Sequence, residues 1–238
     1  MDKVTRCERR HLTRECSRPR FARLLILIEL GGFARTNELL ERRNTLLVLR
    51  TPDKRFDNLP DFPFEPHYAE INGRRVHYIN EGQGETILCL HGEPTWSFVY
   101  RKIIPLLAAN HRVLAMDFIG FGRSDKFVER EAYSFQMHYD TLVGFIEKLA
   151  LEQITLVVHD WGGPIGLTVA SEMVERFSRL VIMNTLLAIR GTDSRLADWP
   201  SDTGGTVHGD KIAPEVIAGY EAPFPDASYK AGQPRGRC

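Results

Sequence analysis

The sequence predicts an α/β fold in which a mostly parallel sheet is covered by helices on both faces. Three observations point there. Apolar runs at 86–90, 112–116, 154–158 and 180–183 lack the polar alternation of a half-exposed strand, and strands buried on both faces read that way. Segments at 96–107, 135–149 and 164–177 repeat apolar residues at helical spacing. The strict alternation of the two is what parallel neighbours require, because joining them takes a crossover that is usually a helix.

Composition narrows the classes. The chain has 238 residues and a mass of 27.2 kDa, enough for one large domain or two small ones. Hydrophobic residues make up 43% and charged residues 26%, an ordinary globular balance that argues against disorder. Lys+Arg 31 cancels Asp+Glu 31, so no net field draws in nucleic acid or an anionic membrane. Cys7, Cys16, Cys89 and Cys238 form no CxxC or Cys/His metal spacing. That excludes a disulfide framework and a zinc site and suits a cytoplasmic protein. No apolar run approaches the roughly 20 residues that span a bilayer. The run at 24–28 is cut by Glu29.

Taken in order, residues 1–46 are Arg-rich, carry no signal-peptide cleavage pattern and read as an N-terminal extension of unknown role. Residues 47–184 form the α/β core. Its lead-in is punctuated by Pro52, Pro60 and Pro63, each removing a backbone donor. Alternating segments at 68–71 and 76–79 flank Asn72-Gly73 and predict a hairpin. Then come the strand 86–90, ending at His91-Gly92, the helix 96–107, and the strand 112–116. The helix 135–149 has Leu142, Phe145, Ile146 and Leu149 on one face, and the strand 154–158, helix 164–177 and strand 180–183 follow. Residues 185–238 show one weak helical stretch at 214–220, no further strand and a Pro/Gly/Arg tail.

The strand 154–158 runs into His159-Asp160-Trp161-Gly162-Gly163 and then a helix. A sharp turn at such a junction lifts one side chain clear of the sheet, and a small residue two places later lets helix and strand approach. Gly162 supplies that small residue, and the lifted side chain is Asp160. A carboxylate with an ordinary pKa of about 3.9 is already ionised at neutral pH and attacks without a base. It suits displacement at saturated carbon, leaving an alkyl ester. Asp is also a favoured helix N-cap, so both readings of Asp160 stand at this point. Trp161 is either packing or an indole N–H donor for a departing anion. Gly120-Phe121-Gly122 lacks the third glycine and the helix of a dinucleotide site.

Several motifs carry a resemblance. These are Arg50-Thr51-Pro52-Asp53 with Phe62-Pro63-Phe64, His91-Gly92-Glu93-Pro94-Thr95-Trp96-Ser97, Asp117-Phe118-Ile119-Gly120-Phe121-Gly122-Arg123-Ser124-Asp125 and Val158-His159-Asp160-Trp161-Gly162-Gly163. Together they resemble the first part of an α/β-hydrolase, and within that fold the haloalkane dehalogenases with Glu after His-Gly. The stretch from Glu221 to Gly232 is similar to the end of that branch's helical cap. The resemblance implies Asp160 as nucleophile, Trp161 as a halide-binding indole, and the N–H groups of Glu93 and Trp161 as the oxyanion hole. Trp199 is the candidate second halide-binding tryptophan. It also implies a cofactor-free, metal-free hydrolase, monomeric, with a small haloalkane and water as its partners. Epoxide hydrolases share the Asp-Trp elbow but protonate the oxirane with two cap tyrosines. Only Tyr220 and Tyr229 lie near the cap end, in no ring-opening motif.

Family members continue past the cap with an acid and a histidine that activate the hydrolytic water. No residue here matches either position, and His208 reads as a solvated loop histidine. The expectation is a chain truncated at its C terminus, with the last strands absent, a shortened partial cap at 185–238 and impaired ester hydrolysis. The third reading is a non-catalytic remnant of the fold.

Overall fold

The computed structural model describes residues 46–185 and 212–233. The expectations for residues 1–45, for Trp199 and His208 and for residues 234–238 lie outside the described residues.

Val48–Leu49 (β1) opens the described chain, followed by a 3-10 turn at Asp53–Phe56. His67–Ile71 (β2) and Arg74–Glu81 (β3) form the expected hairpin, with Asn72 and Gly73 both at positive φ in its turn. Thr86–Leu90 (β4), Arg112–Met116 (β5), Ile154–His159 (β7) and Phe177–Met183 (β8) are the remaining sheet strands. The spatial order is β2-β3-β5-β4-β7-β8. Pairings β5–β4, β4–β7 and β7–β8 are parallel, and the hairpin joins antiparallel through β3–β5. The mostly parallel sheet is therefore as expected. β4 lies inside it, and all five of its residues are buried. That explains its unbroken apolar text, since both of its faces are covered.

Lys126–Phe127 (β6) pairs antiparallel with β1 in a separate two-stranded ribbon. Two residues are too few to show a period, so the sequence offers no signal for it. The helix expected over 96–107 is two pieces, a 3-10 turn at Ser97–Tyr100 and a five-residue helix at Ile104–Ala108 (α1). Pro105 sits in the first turn of α1. Lacking an N–H, it is tolerated at a helix start but interrupts a helix interior. Phe135–Lys148 (α2) begins at Ser134, whose side chain accepts from Met137 N–H, and buries Leu142, Phe145 and Ile146. Gly162–Glu172 (α3) stops short of the expected 177. Met173 leaves helical geometry, and Phe177 already belongs to β8.

Pro214–Glu221 (α4) is fastened to the loop after β4. The Trp96 indole donates to Gly219 O at 3.0 Å, and Thr51 Oγ1 donates to Pro223 O at 2.7 Å. Trp96 also meets Phe56 and Phe62 edge-on at 5.4 and 4.9 Å and stacks on Phe98. The Pro-rich lead-in thus packs its aromatics beneath the loop that starts the site. At the opposite side β8 is the last strand of the described sheet. Its Leu180, Val181 and Ile182 are 49%, 43% and 54% exposed.

Candidate active site

Parallel pairing of β4 with β7 places Leu90 opposite Val158, so the loops leaving their C-terminal ends face each other. That is where ligands bind in open α/β sheets. Asp160 stands at the β7 end with φ 50, a left-handed conformation that costs a non-glycine residue roughly 1–3 kcal/mol. The surroundings hold it there. Its N–H donates to Asn184 O at 3.1 Å, and its own carbonyl accepts from Gly163 N–H at 3.0 Å. A Cβ on Gly162 would lie 2.4 Å from Leu90 O, so only glycine lets α3 start this close to β4. This is the strand–turn–helix corner that the sequence indicated.

The Asp160 side chain does not cap α3. The residue at the cap position is Trp161, and no side chain bonds the helix's free N–H groups. Instead Asp160 Oδ1 accepts from Glu93 N–H at 2.8 Å. A Cβ on Gly92 would fall 2.2 Å from that same oxygen, so the His91-Gly92-Glu93 backbone lies against the carboxylate. Among the described residues no donor bonds Oδ2. Of the two expected oxyanion donors, Glu93 N–H is engaged with the carboxylate and Trp161 N–H is not.

His91 explains how that loop is held. Phe118 N–H donates to His91 Nε2 at 3.0 Å, so Nδ1 carries the proton and donates to Gly92 O at 2.9 Å. Burial lowers the pKa of His91, which keeps it neutral. The strut is anchored on Asp117, whose carboxylate accepts from His77 Nδ1 at 2.7 Å and from Ser97 N–H at 2.8 Å. Burial alone would push Asp117 up, but the His77 ring, its hydrogen bond and His91 hold it well below the usual carboxylate range. His91 and Asp117 stand within motifs of the sequence that do not reveal these roles. The visible signal is a polar residue following a buried strand.

A cavity of about 170 Å³ opens beside the corner, lined by Glu93, Phe118, Phe121, Phe135, His138 and Trp161 among others. Asp160 is not itself on the lining; its neighbour Trp161 and its partner Glu93 are. The Trp161 side chain is 47% exposed, and its indole N–H has no partner among the described residues. Glu93 is pushed up to about 7, first by burial and then by the nearby Asp160 charge, against a smaller opposing pull from Arg130. Among the described residues no His/Cys/Asp/Glu group could hold a metal ion, and no helix is long and apolar enough to cross a membrane.

The parallel sheet with a strained acidic elbow defines an α/β-hydrolase, and a family model of the alpha/beta hydrolase fold matches residues 85–215. A haloalkane dehalogenase of Mycolicibacterium paratuberculosis is 46% identical over 208 residues, covering 78% of this chain and 68% of that protein. A haloalkane dehalogenase from Paraglaciecola agarilytica, solved as a tetramer, aligns with TM-score 0.71 and 40% identity over 79% of this chain and 69% of its own. An epoxide hydrolase of Vigna radiata is more distant, at 26% identity and TM-score 0.53 over 58% of this chain and 46% of its own. The chain belongs to the haloalkane dehalogenase family of hydrolases.

Proposed function

We propose that this chain displaces halide from small haloalkanes, with Asp160 as the nucleophile and no cofactor. Oδ2 attacks the halogen-bearing carbon; the C–O bond forms as the C–X bond breaks, and the halide leaves with the electron pair. The Trp161 indole N–H receives the departing anion, with Trp199 the candidate for a second such donor. The product is an alkyl ester on Asp160. Water attack at its carbonyl carbon then builds charge on Oδ1, where the Glu93 N–H already donates and the Trp161 N–H completes the oxyanion hole. The observation that supports this most is an aspartate lifted at positive φ, with one carboxylate oxygen held by Glu93 and the other without a donor among the described residues.

The hydrolytic step also needs a base to take the water's proton. His91 cannot serve, because both its ring nitrogens are engaged. With no base assigned among the described residues, ester hydrolysis is expected to be slow beside alkylation. Epoxide opening is the weaker reading. It needs a free tyrosine hydroxyl in the cavity, and Tyr133 on the lining spends its O–H on Phe127 O at 3.1 Å. We further infer a cytosolic monomer with its core at 47–184, an extension at 1–46 and a partial cap at 185–238.

Exposure to 1,2-dibromoethane tests the reading. A rapid release of about one bromide per chain, followed by a much slower phase, is expected, and Asp160→Ala should release none. Absence of the rapid phase in the native chain would overturn it, as would diol formation from styrene oxide without dehalogenation.

A further inference from the structure

His138 projects from the first turn of α2 onto the lining of the cavity. Its ring is fixed by an edge-on contact with Phe118 at 5.5 Å and a stacked one with Tyr133 at 6.3 Å. Nδ1 is sealed from solvent and has no hydrogen-bond partner. Burial, and then the neighbouring His91, lower its pKa to about 4, so the ring is neutral at physiological pH and carries a single N–H. Orphaned buried N–H groups are rarer than orphaned acceptors, so we assign the sealed, unpartnered Nδ1 as the bare nitrogen and Nε2 as the N–H. The wall around it includes Phe118, Phe121, Phe135 and Trp161. A few directed donors in a mostly apolar pocket are how such sites fix a ligand's orientation.

We propose that His138 is a specificity-determining residue whose Nε2–H receives an acceptor atom, such as a nitrile nitrogen or ether oxygen, on the haloalkane chain away from the carbon that Asp160 attacks. The inference rests on the reading of Asp160 as nucleophile. It assigns the cavity short haloalkanes that bear an acceptor, in preference to plain alkyl halides.

The test compares 4-bromobutyronitrile with 1-bromopentane, which have equal numbers of heavy atoms, by the second-order rate of ester formation followed by intact mass. The nitrile-to-alkane rate ratio should fall about fivefold in His138→Phe, which keeps the ring contacts and loses the donor, the size of one lost hydrogen bond of roughly 1 kcal/mol. His138→Met should show the same fall, covering the case in which the Phe variant folds poorly. His138→Gln, which places an amide N–H near the same position, should recover most of the ratio. An unchanged ratio in both donorless variants would overturn the proposal. So would an equal loss in the Gln variant, or weakened bromide binding with the ratio intact, since the donor would then serve the halide. Failure of both compounds to alkylate Asp160 would instead strike the parent reading, and this inference with it.

Discussion

At the scale of single residues, the site couples two carboxyl groups with different tasks. Asp160 is held ready by one N–H, while Glu93 supplies that N–H and itself lines the neighbouring cavity. Raised from an ordinary 4.5 to about 7, Glu93 is neutral below that pH and anionic above it. Its charge then opposes an anion in the cavity. Bromide binding, read by tryptophan fluorescence, should therefore weaken about three- to tenfold as pH rises through 7, the size of a roughly 1 kcal/mol charge interaction. Glu93→Gln should bind bromide equally well on both sides of that pH. The same shift affects stability. The unfolded chain releases this proton at lower pH, so the native state loses stability between about 4.5 and 7 and stays penalised above. Glu93→Gln should accordingly melt higher than the native chain at pH 8 and not at pH 4. The corner that carries Asp160 and Trp161, and the facing loop that carries Glu93, were legible because such turns leave short fixed patterns. His138 was not. Its role depends on which helix face meets the cavity, and that is set by tertiary packing.

At the scale of elements, the corner between β7 and α3 depends on close approach of backbones. Ala at position 162 would press its methyl group against the Leu90 carbonyl. Gly162→Ala is expected to cost about 1–3 kcal/mol, typical of overpacking, visible as a lower urea midpoint with an unchanged slope. An unaltered midpoint would show that the corner is looser than described. β4, β5 and β7 were read well because burial on both faces writes an unbroken apolar run, whereas β8 carries such a run with its apolar residues half-exposed. Helix ends were read less well. Pro105 divided one expected helix, and the approach to β8 shortened another. In both cases a local interruption overrode a periodicity that continued through it.

For the molecule as a whole, β8 sets the edge of the described sheet with three half-exposed apolar residues in succession. Such an edge invites pairing with other chains, and a charge on it blunts that tendency. Val181→Lys should lower light scattering on concentration while leaving the melting temperature nearly unchanged. Scattering equal to that of the native chain would assign aggregation elsewhere. Fold and family could be read from motifs in the sequence, two of which, at 91–97 and 158–163, lie where β4 and β7 end side by side. The β1–β6 ribbon and the Phe118–His91 hydrogen bond could not, since both arise from contacts between segments far apart in sequence.

The most direct measurement is peptide-level mass spectrometry of the chain after brief exposure to a bromoalkane. The account predicts a single alkyl ester, located on Asp160 and absent when Asp160 is replaced by Ala. Alkylation confined to another carboxylate or to a cysteine, with Asp160 unmodified, would contradict it.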